Sequence, residues 1–227
     1  MKKIVVLNPG HGGFYHGGIN EKLNIEEKDI TLKTAIYLIE YLDKFEDIEV
    51  ILTRIDDIPA DYEFELEERA MIARRSKANL YISLHYNWSE NAEKSGGGIC
   101  VSANKSKKKY NEETTKLGKI IMEKLSELGI ENKGVWTKQC EDEGEEWMYS
   151  DGTKADYYAD IRYAMKGIKK GLGAKIEKGK GIPAILIEHC YINGPDEKFI
   201  NSDQKLKAIA IQDGKAIVQY YNLKKKE

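Results

Sequence analysis

Short apolar runs alternate along this chain with longer stretches of helical periodicity, and this alternation constrains the fold more than any other feature. The apolar runs cover residues 4–7, 50–53, 80–84, 98–102 and 182–187. The helical stretches cover residues 26–45, 66–77, 110–128 and 202–221, with a shorter one at 155–163. Strands that are separated by helices favour parallel pairing, with helices packed on the sheet. We therefore predict one α/β domain with a central, mostly parallel or mixed sheet of about five to six strands, flanked by helices on both faces.

Composition excludes several functional classes. The 227 residues include 36 basic and 38 acidic side chains, which gives a net charge of −2 at pH 7. This balance argues against binding through bulk electrostatics, so we expect no nucleic-acid partner. No apolar run approaches the roughly 18 residues of a membrane-spanning helix, so we expect no transmembrane segment. The cysteines are widely spaced and odd in number, which predicts ordinary thiols rather than disulfides or a cysteine zinc site; they are Cys100, Cys140 and Cys190.

Polar residues follow three of the predicted strands. His11 lies just past the first strand, His85 ends the third, and Glu188 ends the last. Glu27 begins the first helix, close in sequence to His11. Ligand sites in open α/β sheets gather at the carboxyl ends of the strands. Two histidines and a carboxylate, with a fourth position left to water, form the ligand set of a catalytic zinc, and a further carboxylate nearby can move protons. The alternative is that each is an ordinary surface or core residue.

Four motifs follow one another along the chain. They are Asn8-Pro9-Gly10-His11-Gly12-Gly13, Glu27-Lys28-Asp29-Ile30-Thr31-Leu32, Ser83-Leu84-His85-Tyr86-Asn87 and Pro183-Ala184-Ile185-Leu186-Ile187-Glu188. In this order they resemble the motifs of the zinc-dependent N-acetylmuramoyl-L-alanine amidases with a single α/β catalytic domain, often called amidase type 3. The resemblance runs from about residue 4 to about residue 220 and is weakest between residues 138 and 181.

The resemblance implies both a site and a reaction. His11, Glu27 and His85 match the family's ligands to one zinc ion, and Glu188 matches its catalytic glutamate. The implied reaction is hydrolysis of the amide bond between N-acetylmuramic acid and L-alanine, so peptidoglycan is the expected partner. Two alternatives remain: another zinc-dependent amide or peptide hydrolase on the same scaffold, and a catalytically inactive wall-binding module. The intact motif residues argue against the inactive module. We expect a monomer.

Three further residues are weaker candidates. His16, in the loop between two proposed ligands, and Asn87 are predicted to bind substrate; the competing interpretations are a surface histidine and a turn-stabilising asparagine. His189 directly follows Glu188. Side chains alternate along a strand, so His189 is predicted to point away from Glu188, which argues against a catalytic role.

The predicted domain covers residues 1–223 and includes an elaborated loop region at 138–181, which we expect to flank the catalytic groove. Residues 224–227 are predicted to form a solvated basic tail. Only four apolar residues follow Met1-Lys2-Lys3, whereas the apolar run of a secretory signal needs about 7 to 15 residues. We therefore expect no export signal. Three settings fit an enzyme that acts on the wall: an endolysin released through a holin, an autolysin acting on its own mother cell, or a fragment of an exported protein. We favour the endolysin-like enzyme.

Overall fold

The computed structural model describes residues 1–57, 62–140, 147–149, 153–165, 168–170 and 181–227. Within these residues the chain forms ten β-strands and five α-helices. The strands are β1 (Lys3–Pro9), β2 (Ile19–Asn20), β3 (Ile25–Glu26), β4 (Ile48–Leu52), β5 (Leu80–Asn87), β6 (Gly97–Val101), β7 (Asn132–Trp136), β8 (Trp147–Tyr149), β9 (Ile168–Lys170) and β10 (Ala184–Tyr191). The helices are α1 (Glu27–Leu42), α2 (Tyr62–Arg75), α3 (Lys108–Ser126), α4 (Ala159–Met165) and α5 (Asp203–Tyr221).

Six strands form the central sheet, in the order β4-β1-β5-β10-β6-β7. Strand β1 pairs in parallel with β4 and β5, and β5 pairs in parallel with β10. Strand β6 runs antiparallel to β10 and parallel to β7. The sheet is mixed, which confirms the predicted fold class. Because β1, β5 and β10 run in one direction, their carboxyl ends meet at the same edge of the sheet.

The alternation of side chains along β5 divides the core into two layers. Leu80 and Ile82 pack with α1, α3 and α5, whereas Tyr81 packs with α2 and α4. Successive side chains point to opposite faces, so Ser83 and His85 lie on the same face as Tyr81. This periodicity places His85 on the side of the sheet that α2 and α4 cover.

Two central strands are longer than predicted. Strand β5 continues to Asn87 and β10 continues to Tyr191, so His85 and Glu188 lie inside strands rather than at their ends. The prediction that the strands stop at these residues was therefore wrong by a few residues. Each polar residue ends an apolar run in the sequence, yet the backbone pairing continues past it. Hydropathy alone does not distinguish a buried polar residue within a strand from the residue after it.

The loop region predicted at 138–181 is described only in part. Residues 141–146, 150–152, 166–167 and 171–180 lie outside the described residues. The short helix predicted at 155–163 begins later, as α4 at Ala159. Asp156 lies before the helix because its carboxylate accepts hydrogen bonds from Ser102 Oγ and from the backbone N–H of Ala103, each at 2.6 Å. Asp156 thus belongs to the segment before α4, and the helix begins at Ala159.

The predicted basic tail has exposed side chains but a fixed backbone. The carbonyl of Lys224 accepts a hydrogen bond from the N–H of Glu46 at 2.8 Å, and the N–H of Lys226 donates to the carbonyl of Lys44 at 2.8 Å. The tail is therefore held against the turn after α1. None of the helices in the described part of the chain is both long enough and apolar enough to cross a bilayer.

Candidate metal centre

Three of the sequence-predicted site residues converge at the carboxyl edge of β1 and β5. One ligand atom from each of His11, Glu27 and His85 lies within 4.8 Å of the other two. Glu27 Oε1 is 3.1 Å from Nε2 of His11 and 3.1 Å from Nδ1 of His85. The two imidazole rings meet edge to face, with their centroids 4.8 Å apart. The cluster therefore presents two ring nitrogens and a carboxylate towards one point.

The loop after β1 holds His11 in an unusual backbone conformation. Its φ of 61° lies in the left-handed region, which a residue with a side chain rarely adopts. Two buried guanidinium groups bind the carbonyls around it. Arg54 donates to Pro9 and Gly10, at 3.1 and 3.0 Å, and Arg69 donates to Pro9 and His11, at 2.8 and 2.9 Å. These bonds offset the strain and fix the direction of the His11 side chain.

Glycines allow the loop to approach the cluster closely. A Cβ on Gly10 would lie 2.4 Å from Cε1 of His85, and a Cβ on Gly17 would lie 2.5 Å from Oε2 of Glu27. Gly17 also has a φ of +72°. Any larger residue at either position would displace a side chain of the cluster.

Glu27 is buried at the start of α1 and is held as a carboxylate. Its Oε2 accepts a hydrogen bond from the N–H of Gly18 at 2.8 Å, and its Oε1 accepts one from the N–H of Tyr86 at 2.9 Å. Burial on its own would raise the pKa of Glu27, but hydrogen bonds from His11 and His85 outweigh it and hold this pKa well below its usual range. The cluster therefore carries a fixed negative charge at its centre.

The ring of His85 lies between two carboxylates. Burial lowers the pKa of His85, but hydrogen bonds to Asp160 and Glu27 outweigh it and raise this pKa to about 10. Without a metal, His85 is thus a protonated ring paired with acidic groups. A cation that replaced this proton would meet the same carboxylates.

Glu188 lies beside the cluster, on β10. Its Cα is the register partner of the His85 Cα on β5. The side chain is 7% exposed, and among the described residues its buried Oε2 has no hydrogen-bond partner. Burial raises the pKa of Glu188 to about 7. A carboxyl group with this pKa can accept and return a proton near neutral pH.

The other predicted candidates lie outside the cluster. His16 is partly exposed, and its Nδ1 pairs with Glu26 at 2.7 Å. Asn87 is partly buried at the end of β5, where its carbonyl accepts a hydrogen bond from the N–H of Ile192 at 2.7 Å. His189 points away from Glu188, as predicted, and pairs with Asp213 at 2.8 Å.

Sequence reasoning did not single out Asp160, which lies against the candidate ligand His85. Its Oδ2 lies 3.4 Å from Nε2 of His85, on the opposite side of the ring from Glu27. The two residues are 75 positions apart, and Asp160 lies in the stretch where the family resemblance is weakest. In the sequence it is only an acidic residue inside the short helix predicted at 155–163, which gives no signal of a site.

Comparison with known proteins identifies the family. Residues 5–219 match the model of the N-acetylmuramoyl-L-alanine amidase family, named Amidase_3. The chain belongs to this family. Among its relatives, the probable N-acetylmuramoyl-L-alanine amidase AmiB of Haemophilus influenzae is 27% identical over 240 residues, covering 96% of this chain and 52% of that protein. The endolysin of Bacillus phage SPP1 is 26% identical over 233 residues, covering 100% of this chain and 69% of that protein. The chain thus spans about half the length of AmiB.

Solved structures share the fold of this chain. Cwp6 from Clostridium difficile superposes with a TM-score of 0.75 at 28% identity, covering 96% of this chain and 29% of that one. The catalytic domain of CwlV, an amidase from Bacillus (Paenibacillus) polymyxa var. colistinus, superposes with a TM-score of 0.69 at 21% identity, covering 98% of this chain and 99% of that one. The mixed six-stranded sheet with helices on both faces is therefore the fold of amidase catalytic domains.

Proposed function

We propose that this chain is the catalytic domain of a zinc-dependent N-acetylmuramoyl-L-alanine amidase that acts on peptidoglycan. One observation carries the proposal: the ligand atoms of His11, Glu27 and His85 lie within 4.8 Å of one another, and Glu188 is the register partner of His85. Membership of the amidase family supports the choice of substrate. The amide bond to be cleaved joins N-acetylmuramic acid to L-alanine.

The chemistry of the donor set fits zinc. Imidazole nitrogen and carboxylate oxygen are ligands that zinc accepts, and catalytic sites combine three protein ligands with an open position. Among the described residues, no fourth histidine, cysteine or acidic side chain joins the group, so a position is left for water or substrate. Two backbone N–H groups orient the Glu27 carboxylate, which limits its motion before a metal binds.

Glu188 is the proton carrier in this proposal. A bound zinc would polarise the amide carbonyl and make water a better nucleophile. Glu188 takes the proton of the attacking water and returns it to the nitrogen of the departing L-alanine. Its raised pKa, caused by burial, suits both transfers because the group is neither a strong nor a negligible acid near pH 7. His16 and Asn87 remain candidates for contacts with the substrate.

The biological setting is part of the proposal. The substrate lies outside the cell membrane, and the relatives include an endolysin and a probable cell wall amidase of Staphylococcus aureus. An endolysin-like role in wall degradation suits a catalytic domain of this kind.

The test is digestion of purified cell walls, followed by mass spectrometry of the products. We expect the zinc-loaded protein to release stem peptides with a free amino-terminal L-alanine, and a chelator to abolish the release. Cleavage of soluble dipeptide-like amides without wall cleavage would favour a different amide hydrolase. Wall binding without any cleavage would favour an inactive binding module.

A further inference from the structure

Asp160 is a buried carboxylate that the proposed reaction does not use. It lies in the first turn of α4 and is 5% exposed. Its Oδ2 is 3.4 Å from Nε2 of His85, the ring nitrogen that faces away from Glu27. The contact therefore involves a candidate ligand but lies outside the metal cluster itself.

The orientation of the Asp160 carboxylate is fixed from two strands. Asn8 Nδ2 donates to Oδ1 at 3.0 Å, and Ser83 Oγ donates to Oδ2 at 3.0 Å. Asn8 and Ser83 are register partners on β1 and β5. Asn8 is held in turn, since its Oδ1 accepts a hydrogen bond from Thr53 Oγ at 2.7 Å. The carboxylate thus reaches His85 as a rigid group.

The two nitrogens of His85 have different partners. Nδ1 lies 3.1 Å from Glu27 Oε1 and faces the cluster, whereas Nε2 faces Asp160. A neutral imidazole carries one N–H and one lone pair, and a metal binds only the lone pair. An N–H on Nε2 that donates to Asp160 leaves the lone pair on Nδ1, which points at the other two candidate ligands.

We propose that Asp160 is a positioning residue for metal binding: it fixes the ring orientation and tautomer of His85 so that Nδ1 is the ligating atom. This inference rests on the proposed function, because it assumes that His85 holds a metal. Carboxylate partners of ligating histidines typically contribute about 10- to 100-fold to metal affinity. Asp160 belongs to the weakly matching segment at 138–181, so in this proposal that segment contributes a residue to the metal site.

The test measures zinc affinity by competition with a fluorescent chelator, which does not depend on activity. In Asp160→Asn, which keeps the shape of the side chain but loses its charge, we expect the zinc Kd to rise about 10- to 100-fold. The visible spectrum of the cobalt-substituted protein should also change, because it reports the geometry of the ligands. A role in packing alone would leave that spectrum unchanged.

A matched control lies four residues away in the same segment. Asp156 is also buried, but its carboxylate binds Ser102 and Ala103 rather than a candidate ligand. Asp156→Asn should lower thermal stability and leave the zinc Kd and the cobalt spectrum of the folded protein unchanged. Ser83→Ala is a milder second variant, because it keeps Asp160 but removes the hydrogen bond from Ser83 Oγ to Asp160 Oδ2. The loss of one hydrogen bond should raise the zinc Kd by about two- to tenfold.

The outcomes separate this inference from the proposed function. If the wild type binds zinc and cleaves walls while Asp160→Asn and Ser83→Ala keep the wild-type Kd, the role of Asp160 is wrong and the proposed function stands. If Asp160→Asn does not fold, Ser83→Ala alone decides. A wild-type protein that neither binds zinc nor cleaves walls would overturn both.

Discussion

His85 and Glu188 are register partners on the adjacent parallel strands β5 and β10. Both side chains lie on the face of the sheet that is covered by α2 and α4. Tyr81, four residues before His85, and Leu186, two residues before Glu188, pack in that layer, and side chains an even number of residues apart share a face. Strand pairing therefore sets a candidate metal ligand beside a candidate proton carrier. This arrangement depends on backbone hydrogen bonds rather than on loop conformation, so it is maintained without a bound ligand.

Replacement of Glu188 by glutamine should separate proton transfer from metal binding. Glutamine has nearly the same shape but cannot accept the proton, so Glu188→Gln should stay folded and zinc-loaded and lose at least about a hundredfold in turnover. Glu27→Gln is the contrasting variant, because a lost ligand carboxylate weakens metal binding as well. Zinc content and amide hydrolysis are measured for both. A zinc-loaded Glu188→Gln protein with near wild-type turnover would contradict the role of Glu188 in proton transfer. A Glu188→Gln protein that has lost its zinc would show that Glu188 is a metal ligand.

The stability of the metal-free protein should report the buried state of Glu188. Burial raises its pKa from 4.5 to about 7, so the folded protein binds this proton more tightly than the unfolded chain does. Its contribution to stability is complete below pH 4.5 and is lost as the pH rises to about 7. Glu188→Gln has no such loss, so its melting temperature relative to the wild type should rise across this window and then level off. If the difference in melting temperature between the two proteins stays constant from acidic to alkaline pH, Glu188 is not buried in this way.

Zinc uptake should release a proton from His85. Its pKa of about 10 means that the metal-free cluster carries a proton on His85 at pH 8, which a metal bound to Nδ1 has to displace. The buffer takes up each released proton, so the observed enthalpy of zinc binding should vary with the ionisation enthalpy of the buffer. The slope of this dependence should correspond to at least about one proton released per zinc. A binding enthalpy that is the same in every buffer would contradict the prediction.

Two glycines with left-handed backbones offer a controlled test of crowding at the cluster. Gly17 and Gly134 have φ values of +72° and +84°. A Cβ at Gly17 would contact Glu27 and His11, whereas a Cβ at Gly134 would have no neighbour within 4 Å. Alanine at either site should cost roughly 1–2 kcal/mol of unfolding free energy from backbone strain. Zinc affinity, measured by chelator competition, should fall only in Gly17→Ala. An equal fall in both variants would mean that strain, and not crowding, affects the site.

The sequence predicted which residues of the candidate site lie together because most of them stand on or beside regular strands. Apolar runs marked β1, β5 and β10, and His11, His85 and Glu188 stand at or near their carboxyl ends. The sequence did not predict β7, a half-exposed edge strand with few apolar residues, since such a strand has little hydropathy contrast.

Local patterns in the sequence could not indicate Asp160, because its proposed role depends on contacts between distant segments. From helix α4 it contacts Asn8 on β1 and Ser83 and His85 on β5. Its position also changes what the segment at 138–181 is expected to do. A variant that shortens the whole segment would remove Asp160 and weaken zinc binding, so a test of wall specificity has to keep residues 153–165.

Anomalous diffraction at the zinc absorption edge, from crystals of the zinc-loaded protein, would locate the ion that we propose His11, Glu27 and His85 hold. We expect one strong peak about 2.0 to 2.2 Å from Nε2 of His11, Nδ1 of His85 and a carboxylate oxygen of Glu27. A zinc peak elsewhere, or no peak between these three side chains, would overturn this ligand assignment.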